Sequence, residues 1–424
     1  MYPNPQDVLP LPPRPDLRQY RTRAKELAAA CTAGDTALLT WAGKWIAALD
    51  RLQPDHARTS PRDIERRTHQ VVQFARDQMP RADCSLAKAQ FVMARAHGFA
   101  SWPRLVQHVE GLALDGSEVS TFERAADAVV AGDLTALGQL LRAEPGLVRA
   151  RSDRDHRASL LHYVAANGVE NYRQRTPKNI EAVATVLLDA GADINAEADV
   201  YGGGATTFAL VVTSAHPRAA GVQNQLADLL LARGARMSPE IVTYCLVNGC
   251  PEAAAHLVTR GAKLDLVGAA GIGRVDLVEA FLGDGATSST LHGAATAMAA
   301  WYGRREVIAR MLALGVDAGA RRASDGQTAL HIAAYQGDVE LVELLIARKA
   351  PLDVVDRVYG TPPLVWALHA WLKEGRADAA AYIRIVRALV EAGAAVETAW
   401  LDHERLREET ELYRMLRSAT GNPG

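Results

Sequence analysis

Three histidines sit in matching phrases along the chain: His162 in SLLHYVAANG, His292 in STLHGAATAM and His331 in TALHIAAYQG. An imidazole titrates near neutrality and can act as metal ligand, acid or base. The spacing of these three gives no exposed chelating arrangement. His216 differs, because it lies in VTSAHPRAAGVQNQ (212 to 225) and is followed by Pro217, which stiffens the chain. It is a candidate acid/base or ligand-contacting group with Ser214 as its hydroxyl neighbour. Ser-Ala-His is too local to pair a nucleophile with its base, and no Gly-x-Ser-x-Gly elbow occurs, which argues against a serine hydrolase. A second polar stretch, NGVENYRQRTPKNI (167 to 180), supplies Glu170, Asn171, Tyr172, Gln174 and Arg175, with Arg175 as the charge for an anionic ligand. Between the two runs VYGGGATT (200 to 207), which carries Tyr201 and matches neither a phosphate loop nor a dinucleotide fingerprint, so it reads as a hairpin tip. These residues define a candidate acid/base set, His216, Glu170 and Tyr201, and a ligand-contacting set of Tyr163, Asn171, Tyr172, Gln174, Arg175 and Ser214. Neither set asks for a metal or a cofactor.

The elements that carry these residues are repeats. Residues 325 to 357 read DGQTALHIAAYQGDVELVELLIARKAPLDVVDR. An Asp-Gly turn precedes Thr328 and a helix with Leu330, Ala333 and Ala334 on one face, ended by Gly337. A second helix follows, its apolar residues Val339, Val342, Leu345 and Ile346 recurring at roughly helical spacing. The unit resembles the ankyrin family, whose repeat of about 33 residues has a Thr-Pro-Leu-His-x-Ala core. Thr328, Leu330, His331, Ala333 and Ala334 stand at the family's positions, and Ala329 replaces the usual proline. The resemblance implies that His162, His292 and His331 are structural residues that tie successive hairpins together. Weaker copies of the second-helix exit appear at Gly191-Ala192-Asp193, Gly234-Ala235, Gly261-Ala262, Gly285-Ala286, Gly315-Val316-Asp317 and Gly393-Ala394. The predicted fold is therefore all-α, an ankyrin-repeat solenoid of helix-turn-helix units with short hairpin loops, behind a small helical domain. Each unit has an apolar face that only a stacked neighbour can bury.

The expected organisation is a proline-rich tail (1 to 16), a helical domain (17 to 115), an irregular array of about eight units (119 to 398) and a C-terminal capping helix (399 to 417). Residues 238 to 287 hold two trimmed units. Three other units carry extra residues between their helices, at 167 to 180, 212 to 225 and 369 to 382. Such insertions emerge on a shared face that is often the binding face, so the first two are expected to meet in one polar region. Tyr302, Arg304, Arg305, Tyr335, Trp366 and His369 fall on or beside first helices, whose exposed side usually lines the concave surface, and are the kinds of side chain enriched at binding hot spots.

The N-terminal region reads as helices, with Ser85 and Ser101 as N-cap candidates and Phe99 and Trp102 as core. SLAKAQFVMARAHGFASWPRL is similar to a segment that precedes the repeats in many bacterial ankyrin proteins. The arginine-rich stretch 60 to 81 also holds Asp63, Glu65 and Asp77 and reads as a solvated face. Lys plus Arg number 47 against 49 for Asp plus Glu, so no whole-molecule field draws nucleic acid. No apolar run has membrane-spanning length, and the start lacks the pattern of a signal peptide. Cys31, Cys84, Cys245 and Cys250 form no zinc pattern and read as thiols, which with the missing leader points to a cytoplasmic protein.

Two functions are consistent with this sequence. One is a binding module that recognises a protein partner through the concave face and the insertions. The other is a small-molecule site or metal-independent acid/base enzyme (isomerase, cyclase, lyase or hydrolase), built where Glu170 to Arg175 meet Ser214 to His216. It requires a closed pocket containing His216, Glu170, Arg175 and Tyr201 or Tyr172.

Overall fold

The structure, a computed structural model, describes every residue except 1, 13, 54–58, 285–286, 377 and 421–424. The exit marker Gly285-Ala286 lies outside the described residues. The chain divides into two compact units, Met1–Met237 and Ser238–Gly424.

The first unit begins with α1 (Leu17–Ala33), α2 (Asp35–Arg51), α3 (Pro61–Gln78), α4 (Leu86–Ala96) and α5 (Trp102–Leu112). Local chemistry sets their starts: Ser60 and Ser85 accept bonds from the amides of Asp63 and Lys88, and Pro61 occupies the first turn of α3. Ser101 stands at the N-cap position of α5 without a side-chain capping bond. Leu27, Ala42, Trp45, Val72, Val92, Phe99 and Leu105 fill one core, with Trp102 packed at its edge. The proline-rich start is held down. Val8 and Leu9 are buried, the Leu9 amide donates to Ala96 at 2.8 Å, and Arg66 pairs with buried Asp7 at 2.6 Å. The reading of four thiols is corrected here, because Cys31 and Cys84 form a disulfide across a separation of 53 residues. The end of α1 and the turn before α4 bring their Cα atoms to 5.8 Å, a proximity that spacing along the chain does not reveal.

The unit continues with α6 (Glu118–Ala131) and α7 (Leu134–Ala143), then a 3-10 turn Leu160–Ala165 with α8 (Ile180–Asp189), and α9 (Thr207–Val212), α10 (Ala215–Ala219) and α11 (Gln223–Ala232). A two-residue hairpin, β1 (Glu197–Ala198) against β2 (Ala205–Thr206), pairs Glu197 with Thr206. Gly202, Gly203 and Gly204 at its tip all have positive φ, which glycine adopts without a Cβ clash.

In the second unit five helix pairs follow one another: α12 (Ile241–Val247) with α13 (Pro251–Thr259), α14 (Leu266–Ile272) with α15 (Val275–Gly283), α16 (Ser289–Trp301) with α17 (Arg305–Ala313), α18 (Ala329–Gln336) with α19 (Val339–Ala347), and α20 (Pro363–Leu368) with α21 (Ala379–Glu391). The first helices α12, α14, α16, α18 and α20 pack in that order. Small residues permit this close approach: a Cβ on Gly271 would lie 2.6 Å from Leu246 and 2.7 Å from Met298. The expected C-terminal helix is two, α22 (Glu404–Glu408) and α23 (Thr410–Ala419), interrupted at Glu409, with Leu412 and Leu416 of α23 buried.

The matched histidines split. In two of them the imidazole and a hydroxyl cap the helix start reciprocally: His162 Nδ1 accepts from the Ser159 amide at 3.2 Å, and His331 Nδ1 from the Thr328 amide at 3.2 Å. His331 Nε2 reaches on to the Thr361 carbonyl at 3.2 Å, which ties one hairpin to the next. His292 instead bonds Thr287 Oγ1 at 2.9 Å. Replacing buried His331 by alanine removes a cap and a cross-hairpin bond, an expected loss of about 2 kcal/mol readable by urea denaturation.

Candidate functional site

The first insertion turns inward. Glu170 is fully buried, and its Oε1 lies 2.9 Å from Arg154, 3.7 Å from Arg173 and 3.4 Å from His156 Nε2, with the Tyr163 hydroxyl donating at 3.4 Å. Glu123 on α6 closes the network, pairing with Arg154 and with Arg173 at 2.7 Å each, and Arg173 also reaches Asp127 at 2.7 Å. Burial alone would raise the pKa of either glutamate. For Glu123 the guanidinium groups of Arg154 and Arg173 override it and hold the carboxyl at about 2. For Glu170, Arg154 and His156 hold it well below the usual carboxylate range. Burial pushes the hydroxyls of Tyr163 and Tyr172 well up, so both stay protonated. Arg154 Nη2 donates to the Tyr172 hydroxyl at 3.1 Å.

The proposed acid/base set is therefore not assembled around an open carboxylate. Glu170 is wholly buried with its Oε1 held by counter-charge, and its Oε2 is buried without a hydrogen-bond partner. His216 is exposed on α10, and Ser214 caps that helix by accepting from the His216 amide at 3.3 Å. Tyr201 is 56% exposed at the hairpin tip, where its hydroxyl donates to Asn167 Oδ1 at 2.8 Å. Gln174 donates to the Val169 carbonyl at 2.7 Å, Asn171 and Tyr172 border a cavity of about 10 Å³, and the guanidinium Nε of Arg175 is buried. Tyr163 is wholly interior. The sequence missed Glu123, Arg154, His156 and Arg173 because partners separated by up to 50 residues leave no local spacing to read.

The second unit holds a cleft of about 1150 Å³. Trp301 at the end of α16, Tyr335 on α18 and Trp366 on α20 line it, with Tyr359 and Trp400 at its margins and His369 and Glu374 beside them. The rings of Trp301 and Tyr335 lie 10° from parallel with centroids 6.4 Å apart, and Trp366 meets Tyr335 edge-on at 5.6 Å. Tyr359 is 71% and Trp301 43% exposed. Buried Asp356 positions this wall. Its carboxylate accepts from the amides of Val358 and Tyr359 at 2.7 Å each, from the Thr361 amide at 3.2 Å and from the Trp366 indole at 3.2 Å. The third insertion forms a π-helical turn, His369–Lys373, that buries Trp371 and Leu372 and leaves His369 exposed. Such turns are frequent at functional sites.

Of the residues expected on the concave face, Tyr335, Trp366 and His369 converge here. Tyr302 and Arg305 do not line the cleft: the Tyr302 hydroxyl bonds the Leu246 carbonyl, and Arg305 pairs with Asp338 at 2.9 Å and with Glu340. Trp301, the immediate neighbour of Tyr302, faces the cleft instead. A signal for it was present. Val247, Trp301 and Tyr335 each stand two residues before a glycine with positive φ, Gly249, Gly303 and Gly337, so one helix register points all three the same way.

Among the described residues no group of three or more His, Cys, Asp or Glu could hold a metal ion, and no helix is long and apolar enough to cross a membrane. The architecture is that of an all-α helical-repeat protein. Residues 291–399, under half of the chain, match the family Ankyrin repeats (3 copies), and the cleft lies in this stretch except for Leu246, Val247, Gly249 and Trp400. No curated protein matches the chain.

Proposed function

We propose that this chain is a binding protein whose second unit holds a segment of a protein partner in the cleft lined by Trp301, Tyr335 and Trp366. The observation that carries the reading is the cleft itself: about 1150 Å³ of open volume walled by aromatic side chains on successive first helices. Aromatic residues in a desolvated hollow are the side chains that dominate protein recognition, and the volume exceeds that of ordinary small-molecule pockets. The match to ankyrin repeats, which are generally interaction modules, supports the same reading. Chemistry at Glu170 and His216 has less support, because the Glu170 carboxylate is wholly buried and paired through Oε1 with Arg154 and Arg173, while His216 is exposed on α10.

Panning a random-peptide display library against the full chain tests this. Enriched peptides are expected to lose at least about tenfold in affinity when Trp301 and Tyr359 are both changed to alanine. Tyr359 is largely exposed and Trp301 about half so, and each gives up a single class of ring contact, so the variant should stay folded with only a modest fall in its thermal melt. Peptides that bind the double variant equally well would falsify the cleft as the interface.

A further inference from the structure

Two residues of the cleft lining, Tyr335 and Glu374, already hold a guanidinium from just outside that lining. Arg376, which follows the π-helical turn, places its Cζ 4.0 Å from the centroid of Tyr335, and its Nε donates to Glu374 Oε2 at 3.1 Å. The Tyr335 hydroxyl in turn donates to both Glu374 oxygens at 3.1 Å. A planar cation on an aromatic face, with a carboxylate at its edge, is an arrangement that selects arginine over lysine. Arg376 and Glu374 are each about one-third exposed, at 36% and 35%, so the contact can open without unfolding a core. When Arg376 leaves, Glu374 keeps the His369 imidazole at 3.6 Å but no guanidinium, whereas Arg322 at the opposite side is neutralised by its own pairing with Asp325. The cleft then presents a net negative, aromatic position.

We propose that the Tyr335 and Glu374 pocket receives an arginine side chain from an extended partner segment, and that Arg376 occupies this position until the partner displaces it. The inference rests on the cleft being the binding surface and adds the chemistry of its ligand. The free protein is a self-liganded form in which an internal guanidinium competes with an external one.

The probe is acetyl-Gly-Gly-Arg-Gly-Gly-amide, titrated into full-length protein and followed through the tryptophan indole NMR signals. Its counterpart carries citrulline, which keeps shape and planarity but removes the charge. Arg376→Ala is expected to bind the arginine peptide about fivefold more tightly than the unaltered chain, the equivalent of one exposed cation–π contact. Arg376→Lys should fall between them, and Glu374→Gln should abolish binding in the Arg376→Ala background. The inference is overturned if citrulline binds as well as arginine, if Arg376→Ala gains nothing, or if millimolar arginine peptide leaves the indole signals of Arg376→Ala unmoved. Display-selected ligands that need Trp301 and Tyr359 yet contain no arginine would overturn the arginine pocket alone. Ligands indifferent to those two residues would overturn the cleft reading beneath it.

Discussion

Arg154→Met is expected to destabilise the Met1–Met237 unit by about 3 to 5 kcal/mol, because it leaves Glu123 and Glu170 buried with one guanidinium between them. The shape change is small. Methionine fills most of the volume, and the arginine side chain is only 2% exposed, so almost all the loss is electrostatic. In a unit of this size the melting temperature should fall by about 10 °C. Adding Glu170→Gln to Arg154→Met restores the balance of charge, and the double variant should be less destabilised than the sum of the single ones. Additive losses would mean that the two side chains do not share a network.

The same network fixes the acid limb. Both glutamates have folded pKa values below the ordinary 4.5, Glu123 at about 2. A depressed carboxyl pKa contributes stability that is complete above the unfolded value and lost as pH falls through the folded one. Its window therefore runs from about 4.5 down to about 2. His97 and His162 act earlier. Burial lowers each imidazole from 6.5 to about 4, so the unfolded chain takes up those protons first and stability declines between these values. Unfolding followed against pH should show a shallow loss from pH 6.5 to 4, steepening below 4.5. In Glu170→Gln the steep part should weaken and the shallow part persist.

How much of this was legible depends on the range of the interaction. The helix pair at residues 325 to 357 could be read residue by residue, since the caps made by Thr328, His331 and Gly337 act within one turn of their own positions, even though His331 also bonds Thr361 thirty residues on. Tyr335 and Trp366 were likewise accessible, because a first helix in a repeat has a known exposed side. The insertions were not. Their polar composition is as compatible with a solvated loop as with a buried ion network, and the deciding partners, Glu123 and Arg154, lie outside them in sequence. Arg173 illustrates the difficulty: it stands between Tyr172 and Gln174, both selected as ligand contacts, and is the one that turns wholly inside to meet Glu123 and Asp127. Trp301 lost out to Tyr302 by one residue of register, which only the left-handed Gly303 resolves.

Changing Cys31 and Cys84 together to serine should cost about 4 kcal/mol, the chain-entropy value for a loop of this length. The bond joins the end of α1 to the turn before α4, on either side of α2 and α3, so without it the unfolded chain gains freedom across that whole segment. The folded helices keep their apolar contacts, Leu27, Ala42, Val72 and Val92 being buried independently of the sulfurs. The variant should therefore retain its helical circular dichroism at room temperature and melt about 10 °C lower. Dithiothreitol should lower the melting temperature of the unaltered chain by the same amount and leave the serine variant unmoved. A reductant that shifts both proteins equally, or neither, would show that the Cys31 to Cys84 bond does not hold this region. The state of the pair also bears on where the protein works, since an oxidising compartment maintains such a bond and the cytoplasm keeps both sulfurs as thiols. Alkylation of native cell extract before any oxidation distinguishes them: protection of Cys31 and Cys84 from the alkylating reagent places the protein in the first environment, and quantitative modification of Cys84, the half-buried member, in the second.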